Sequence, residues 1–151
     1  MKHILPVVIA ALFAGHAMAE DAIEVTENIV FSQASETDLN QFVWKKRPIV
    51  VFADSDADPR YTEQIELLMA KLHDLEERDV VVLTDTDPSA KSELRLKLRP
   101  RGFMLAIIGK DGGVKLRKPF PWDVREITRS IDKMPLRKRE LREKKREASE
   151  G

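Results

Sequence analysis

Apolar residues are spaced differently along different parts of the chain, and each spacing predicts a different element. Ile4 to Ala14 is a continuous apolar stretch behind Lys2 and His3, and Ala17-Met18-Ala19 follows it with small residues on either side of a methionine. A basic start, an apolar centre and an A-x-A ending form the pattern of a cleavable secretory signal. The stretch falls far short of the roughly 20 residues that a membrane-spanning helix needs. The expected cleavage lies between Ala19 and Glu20. Residues 20 to 37 are acidic and weakly patterned, with Glu20, Asp21, Glu24 and Glu27, and are expected to form a loose arm.

From Asp38 the pattern sharpens. Leu39, Phe42 and Val43 fall at i, i+3 and i+4 behind an Asp38 cap, predicting a short helix before Pro48. Ile49 to Ala53 is an unbroken β-branched run, as in a strand buried on both faces. Asp58-Pro59 pairs an N-cap with a proline at the first helical position, and Tyr61, Ile65, Leu68, Leu72 and Leu75 recur at helical spacing. Val80 to Leu83 is a second buried strand, so residues 49 to 83 read as a βαβ unit with a right-handed crossover.

A short helix is expected between Ser89 and Leu98, ended by Pro100, and Phe103 to Ile108 is a third apolar run. Asp111-Gly112 turns it into Val114 to Arg117, whose alternation marks a half-wet edge strand. Asp123 and Glu126 have capping-box spacing ahead of Val124, Ile127, Ile131 and Met134, with Pro135 as the stop. The remaining stretch, 136 to 151, has Leu136 and Leu141 as its only large apolar residues and reads as a charged tail, either a solvated helix or disordered.

A βαβ unit followed by a ββα unit is the order of the thioredoxin fold. The predicted class is therefore α/β, a small thioredoxin-like mixed sheet with helices on both faces, over residues 38 to 135. In that fold the redox cysteines lie where the first central strand meets its helix, the position here of Asp54-Ser55-Asp56-Ala57-Asp58. Near Phe103 and Met104, where the fold usually keeps a cis-proline, there is none.

Several segments carry a family resemblance: Trp44-Lys45-Lys46-Arg47-Pro48, Gln64, Glu77-Arg78-Asp79, the hairpin from Ile108 to Lys115, and Ile131 to Arg137. On these the stretch from Leu39 to Arg142 resembles a thioredoxin-like family of unknown function found in bacterial exported proteins and in vertebrate extracellular proteins such as equarin and the sushi-repeat proteins. The resemblance implies a cysteine-poor domain acting outside the cytoplasm. It implies no catalytic residue.

Composition narrows the chemistry. The chain has no Cys, which removes thiol redox, cysteine nucleophiles and thiolate metal sites, and leaves stability to packing alone. Processing would remove Lys2 and no acid, leaving 25 Lys and Arg against 26 Asp and Glu, so nothing global points to nucleic acid. His73 would be the one remaining histidine, and it lies on a helix with no nucleophile motif such as G-x-S-x-G anywhere in the chain.

Two charged constellations remain. Asp54, Asp56 and Asp58 follow the first central strand, and Asp85 and Asp87 follow the second, so parallel strands place them on one sheet edge, where α/β folds bind ligands. Two readings stand for them. They could supply oxygen ligands for Ca2+ or Mg2+, although the glycine and the later glutamate of an EF-hand loop are missing, or they are helix caps and solvated carboxylates. A strand ending in D-x-D also invites comparison with aspartate phosphotransferases, without the downstream motifs of that class.

The basic constellation runs from Lys91 to Lys118, with nine Lys or Arg against Glu93 and Asp111, and continues into the tail. Arg99, Arg101, Lys110 and Lys115 are its candidate contacts for an anionic envelope component or an acidic protein. The competing reading is a solvated face with i,i+4 pairs. The Gly109 to Gly113 segment is a turn rather than a phosphate loop, because no helix follows it. The sequence as a whole favours a periplasmic or secreted, non-enzymatic binding module on a redox-inactive scaffold with no cofactor. The alternative is a metal-dependent hydrolase built on the aspartate edge.

Overall fold

A computed structural model describes residues 31 to 34 and 37 to 151. The expected signal, the Ala19/Glu20 cleavage point and the arm up to residue 30 lie outside the described residues. Among those described, no helix is long and apolar enough to cross a membrane.

The three apolar runs form the centre of a five-stranded sheet. In chain order its strands are β1 (Phe31–Gln33), β2 (Arg47–Phe52), β3 (Val80–Asp85), β4 (Met104–Ile108) and β5 (Val114–Lys118), and in space they run β1-β3-β2-β4-β5. β1 and β2 each pair with β3 in parallel, whereas β4 pairs antiparallel with both β2 and β5. β2, β3 and β4 are buried at every position, as continuous apolar runs require. β5 alternates half-buried and exposed, the wet edge its sequence predicts. β1 departs from expectation, because a strand lies inside what reads as a loose arm.

Alternate residues of the central strands feed two cores. Ile49, Val51, Val80, Val82, Leu105 and Ile107 meet Leu68 of α1 (Pro59–Met69), Leu75 of α2 (Leu72–Glu76) and the stripe Val124, Ile127, Ile131 of α4 (Val124–Asp132). On the other face Val50, Phe52, Val81, Leu83, Ala106 and Ile108 meet Leu94 and Leu98 of α3 (Glu93–Leu98), with Leu39 and Phe42 packed alongside from the 3-10 turn Leu39–Phe42. Helical segments thus cover both faces, as the fold class demands. Asp58 caps α1 and Pro59 opens it, with the Asp58 carboxylate accepting from the Arg60 N–H at 2.9 Å.

Three elements differ in detail from the pattern-based expectation. The helix after Asp58 breaks at Lys71 (φ −135°, ψ 39°) into α1 and α2. The apolar spacing carried across the break because both pieces face the same core. Asp123 caps α4, but Glu126 turns to Arg129 at 3.3 Å instead of closing a capping box. α4 ends at Asp132, ahead of Pro135 as expected, but the proline does not leave a non-helical tail behind it. It opens α5 (Pro135–Glu150) at the first helical position, so residues 136 to 150 are one helix whose beginning is docked on the domain.

Candidate functional site

The sheet has two ends of different character. The upper end gathers the C-termini of β2, β3 and β5 with the N-terminus of β4, since Phe52 pairs with both Asp85 and Met104 and Lys118 pairs with Leu105. This is the end where the expected aspartates lie, and they are used in different ways. Asp85, 4% exposed, accepts from the Ser92 hydroxyl and from Arg95 Nε and Nη2 at 3.2 and 2.9 Å. Arg95 also donates to the carbonyls of Ala53 and Asp85, both at 3.0 Å, and stacks over Phe52. Its guanidinium therefore ties off the ends of the two central strands.

Asp58 pairs with Arg60, whose hydrogen bonds hold its carboxyl below the usual carboxylate range. Asp87 caps the turn Pro88–Ala90, and hydrogen bonds from Ser89 likewise lower its pKa. Asp54 and Asp56 stay exposed in the connecting loop. Among the described residues no three or more carboxylates or histidines converge as a metal donor set. The edge places the five aspartates on one side without bringing them together. His73 is exposed as well, 3.4 Å from Glu77 on its own helical turn.

The basic candidates divide between the two ends. Arg99 and Arg101 stand at the upper end, where with Arg117 and Lys118 they rim an open cavity of about 240 Å³ over Phe103 and Met104. Arg99 takes a left-handed conformation (φ 50°) that ends α3. Arg117 is steadied by a 2.9 Å bond from Nη1 to the Leu98 carbonyl, and Lys118 lies over the Trp122 ring at 4.8 Å. Among the described residues none of these four cations forms an ion pair. Lys110 and Lys115 lie at the far end of β4, about 17 Å away at strand rise. There Lys110 binds Asp79 and Glu140 at 2.8 and 2.7 Å, and Lys115 binds Asp111 at 2.7 Å.

Arg117 and Lys118 were not singled out from the sequence, although the hairpin contains the signal. A β5 antiparallel to β4 must return its last residues to the start of β4, beside Arg101.

The lower end holds a second constellation. Arg47, 1% exposed, donates to the Arg78 carbonyl at 2.9 Å and to Glu140 at 3.0 Å. Arg78 makes a two-pronged pair with Asp132, both bonds at 2.9 Å, and Glu140 also meets Arg137 at 3.3 Å. Burial pushes the Glu140 carboxyl up, but hydrogen bonds from Lys110 and Arg47 outweigh it and leave the pKa below the ordinary glutamate value. The Arg78 hydrogen bonds lower Asp132 in the same way. Segments far apart in sequence meet here: Trp44 to Pro48, Glu77 to Asp79, the β4–β5 hairpin, and Ile131 to Arg137. Apart from Gln64, these are the segments that carry the family resemblance.

Fold and site together define a thioredoxin-like α/β domain with no thiol at the position of the redox pair and no cis peptide bond among the described residues. The chain belongs to the family described as "Domain of unknown function (DUF4174)", whose pattern matches residues 38–140. That match ends at Glu140, the acidic centre of the lower-end network.

Among curated proteins it is similar to Coiled-coil domain-containing protein 80 of Danio rerio, 29% identical in an alignment 136 residues long that covers 70% of this chain and 16% of that protein. The chain thus spans a small part of this relative. Among solved structures it is similar to the reduced 2-Cys peroxiredoxin of Plasmodium vivax, with a TM-score of 0.54 at 18% identity, over 64% of this chain and 81% of that one. Prx1a of Plasmodium yoelii gives a TM-score of 0.51 at 18% identity, over 64% and 77%. These two likenesses establish the thioredoxin-like fold.

Proposed function

We propose that the protein is an extracytoplasmic binding module that takes an anionic partner at the upper end of its sheet. The observation that carries this reading is the ring of Arg99, Arg101, Arg117 and Lys118 around an open cavity, with no ion pair to any of them among the described residues. What sets these four apart is that they gather around one opening, on the edge where α/β folds bind ligands, whereas Lys115 is matched by Asp111. Together they create a local positive field suited to a phosphorylated or carboxylated polymer of the cell envelope. Export rests on the signal pattern of residues 1 to 19 and on the family resemblance.

Binding of residues 20 to 151 to long-chain polyphosphate and to phosphatidylglycerol vesicles, at 50 mM and 500 mM salt, tests the reading. The double variant Arg99→Glu/Arg101→Glu should lose at least tenfold in affinity at low salt, and Lys115→Gln should bind like the wild type. Equal binding by the double variant would remove the upper-end site. Vesicle binding without polyphosphate binding would assign it to a lipid surface.

A further inference from the structure

The lower end carries an apolar pocket that neither the fold nor the upper-end reading uses. Trp44, Met134, Pro135 and Leu136 line a cavity of about 260 Å³, with Gly109 and the stem of Lys115 on the hairpin side. Trp44 is 68% exposed and takes φ 64°, a left-handed conformation that is an outlier for a bulky side chain. Its backbone N–H donates to the Lys110 carbonyl at 2.6 Å, which pins this conformation to the hairpin. So exposed a ring gains little from core packing, yet the backbone holds it beside an apolar hollow. Backbone outliers of this kind concentrate at ligand clamps, and tryptophan is enriched among the residues that dominate interfaces.

Charge selects the occupant. The pocket's Arg47 and Lys110 are matched by Glu140 and Asp79, and Lys115 by Asp111. Lys45 and Lys46 directly follow Trp44, and Lys133 directly precedes Met134. These three do not line the cavity, but the chain places them next to residues that do, and among the described residues they have no ion pair, so the surface beside the apolar floor carries a cationic surplus. We infer that this pocket binds a partner protein through an acidic segment bearing one aromatic or aliphatic anchor, with the anchor against Trp44 and Leu136 and its flanking carboxylates near Lys45, Lys46 and Lys133. The inference is independent of the upper-end reading, because the two sites lie at opposite ends of β4 and share no residue.

The test titrates residues 20 to 151 with a blocked peptide carrying one phenylalanine between pairs of glutamates, following tryptophan emission at 50 mM salt. A saturable change in emission is expected. Replacing the glutamates by glutamines should raise Kd at least tenfold, and Trp44→Ala should remove the response that Trp122 alone cannot give. Lys45→Glu/Lys46→Glu, which keeps the ring, should raise Kd at least tenfold for the acidic peptide and leave the glutamine peptide unchanged. The inference is overturned by the absence of a saturable response, or by equal affinity for the two peptides, which would mark an apolar-ligand pocket. Sedimentation showing self-association that Trp44→Ala abolishes would also overturn it, by making a second copy the occupant.

Discussion

Arg95 shows how much one side chain can do when its partners are gathered by the sheet. It spans the Ala53 and Asp85 carbonyls and the Asp85 carboxylate, so its loss leaves a buried charge with no cationic partner, held only by the Ser92 hydroxyl and a 3.3 Å bond from the Asp87 N–H. Arg95→Ala should therefore cost about 3–5 kcal/mol in denaturant unfolding. Arg95→Lys should recover little of this, because a single ammonium cannot reach all three acceptors. Gln64, fully buried on α1, exchanges hydrogen bonds with the backbone N–H and C=O of Trp122 at 2.7 and 2.9 Å. Gln64→Leu should cost about 2–3 kcal/mol by stranding both groups. Asp38, Asp58, Asp87 and Asp123 were legible as caps because each bonds a backbone N–H two residues on. Arg47, Gln64 and Arg95 were not, because their bonds run 93, 58 and 42 residues along the chain.

Helix α5 is where apolar periodicity says least. Apolar residues are sparse from Arg137 to Glu147, and the pattern leaves open a solvated helix or a disordered tail; the structure has the helix. Its first turns, which the pattern does not predict to be docked, are fixed by ions: Glu140 to Arg47 and Lys110, and Arg137 to Asp132 and Glu140. Beyond Glu140 every residue is exposed. Deleting residues 143 to 151 should thus leave the unfolding midpoint nearly unchanged, whereas deleting from 136 strands Arg47 in the interior and should cost about 3–5 kcal/mol. The same contacts give a pH dependence of definite sign. The folded pKa of Glu140 lies below its unfolded value, about 4.3, so its contribution is complete above that pH and is lost as pH falls through the lower folded value. Glu140→Gln should be less stable than wild type at pH 7, and the difference should shrink in acid. A difference that stayed constant between pH 7 and pH 3 would mean that Glu140 acts through packing alone.

At the scale of the molecule, the sheet was legible because apolar runs of four to six residues admit few arrangements. Strands buried on both faces need cover on both, and the order of elements then leaves a thioredoxin-like sheet. β1 was not legible, since its Phe31–Gln33 is short and set in acidic text, and it is recognisable only from its parallel pairing with β3. With no cysteine to crosslink them, the two cores are joined through the strands they share, so loss of either should unfold the whole domain. Leu105→Ala, on the face of α1 and α4, and Ile108→Ala, on the face of α3, should each cost about 2–5 kcal/mol. Both variants should keep a single transition, with tryptophan emission and far-UV circular dichroism coinciding. Two separated transitions in Ile108→Ala would show instead that the α3 face opens on its own. Arg99, which ends that helix, would then sit on a segment able to move independently of the sheet that carries Arg117 and Lys118.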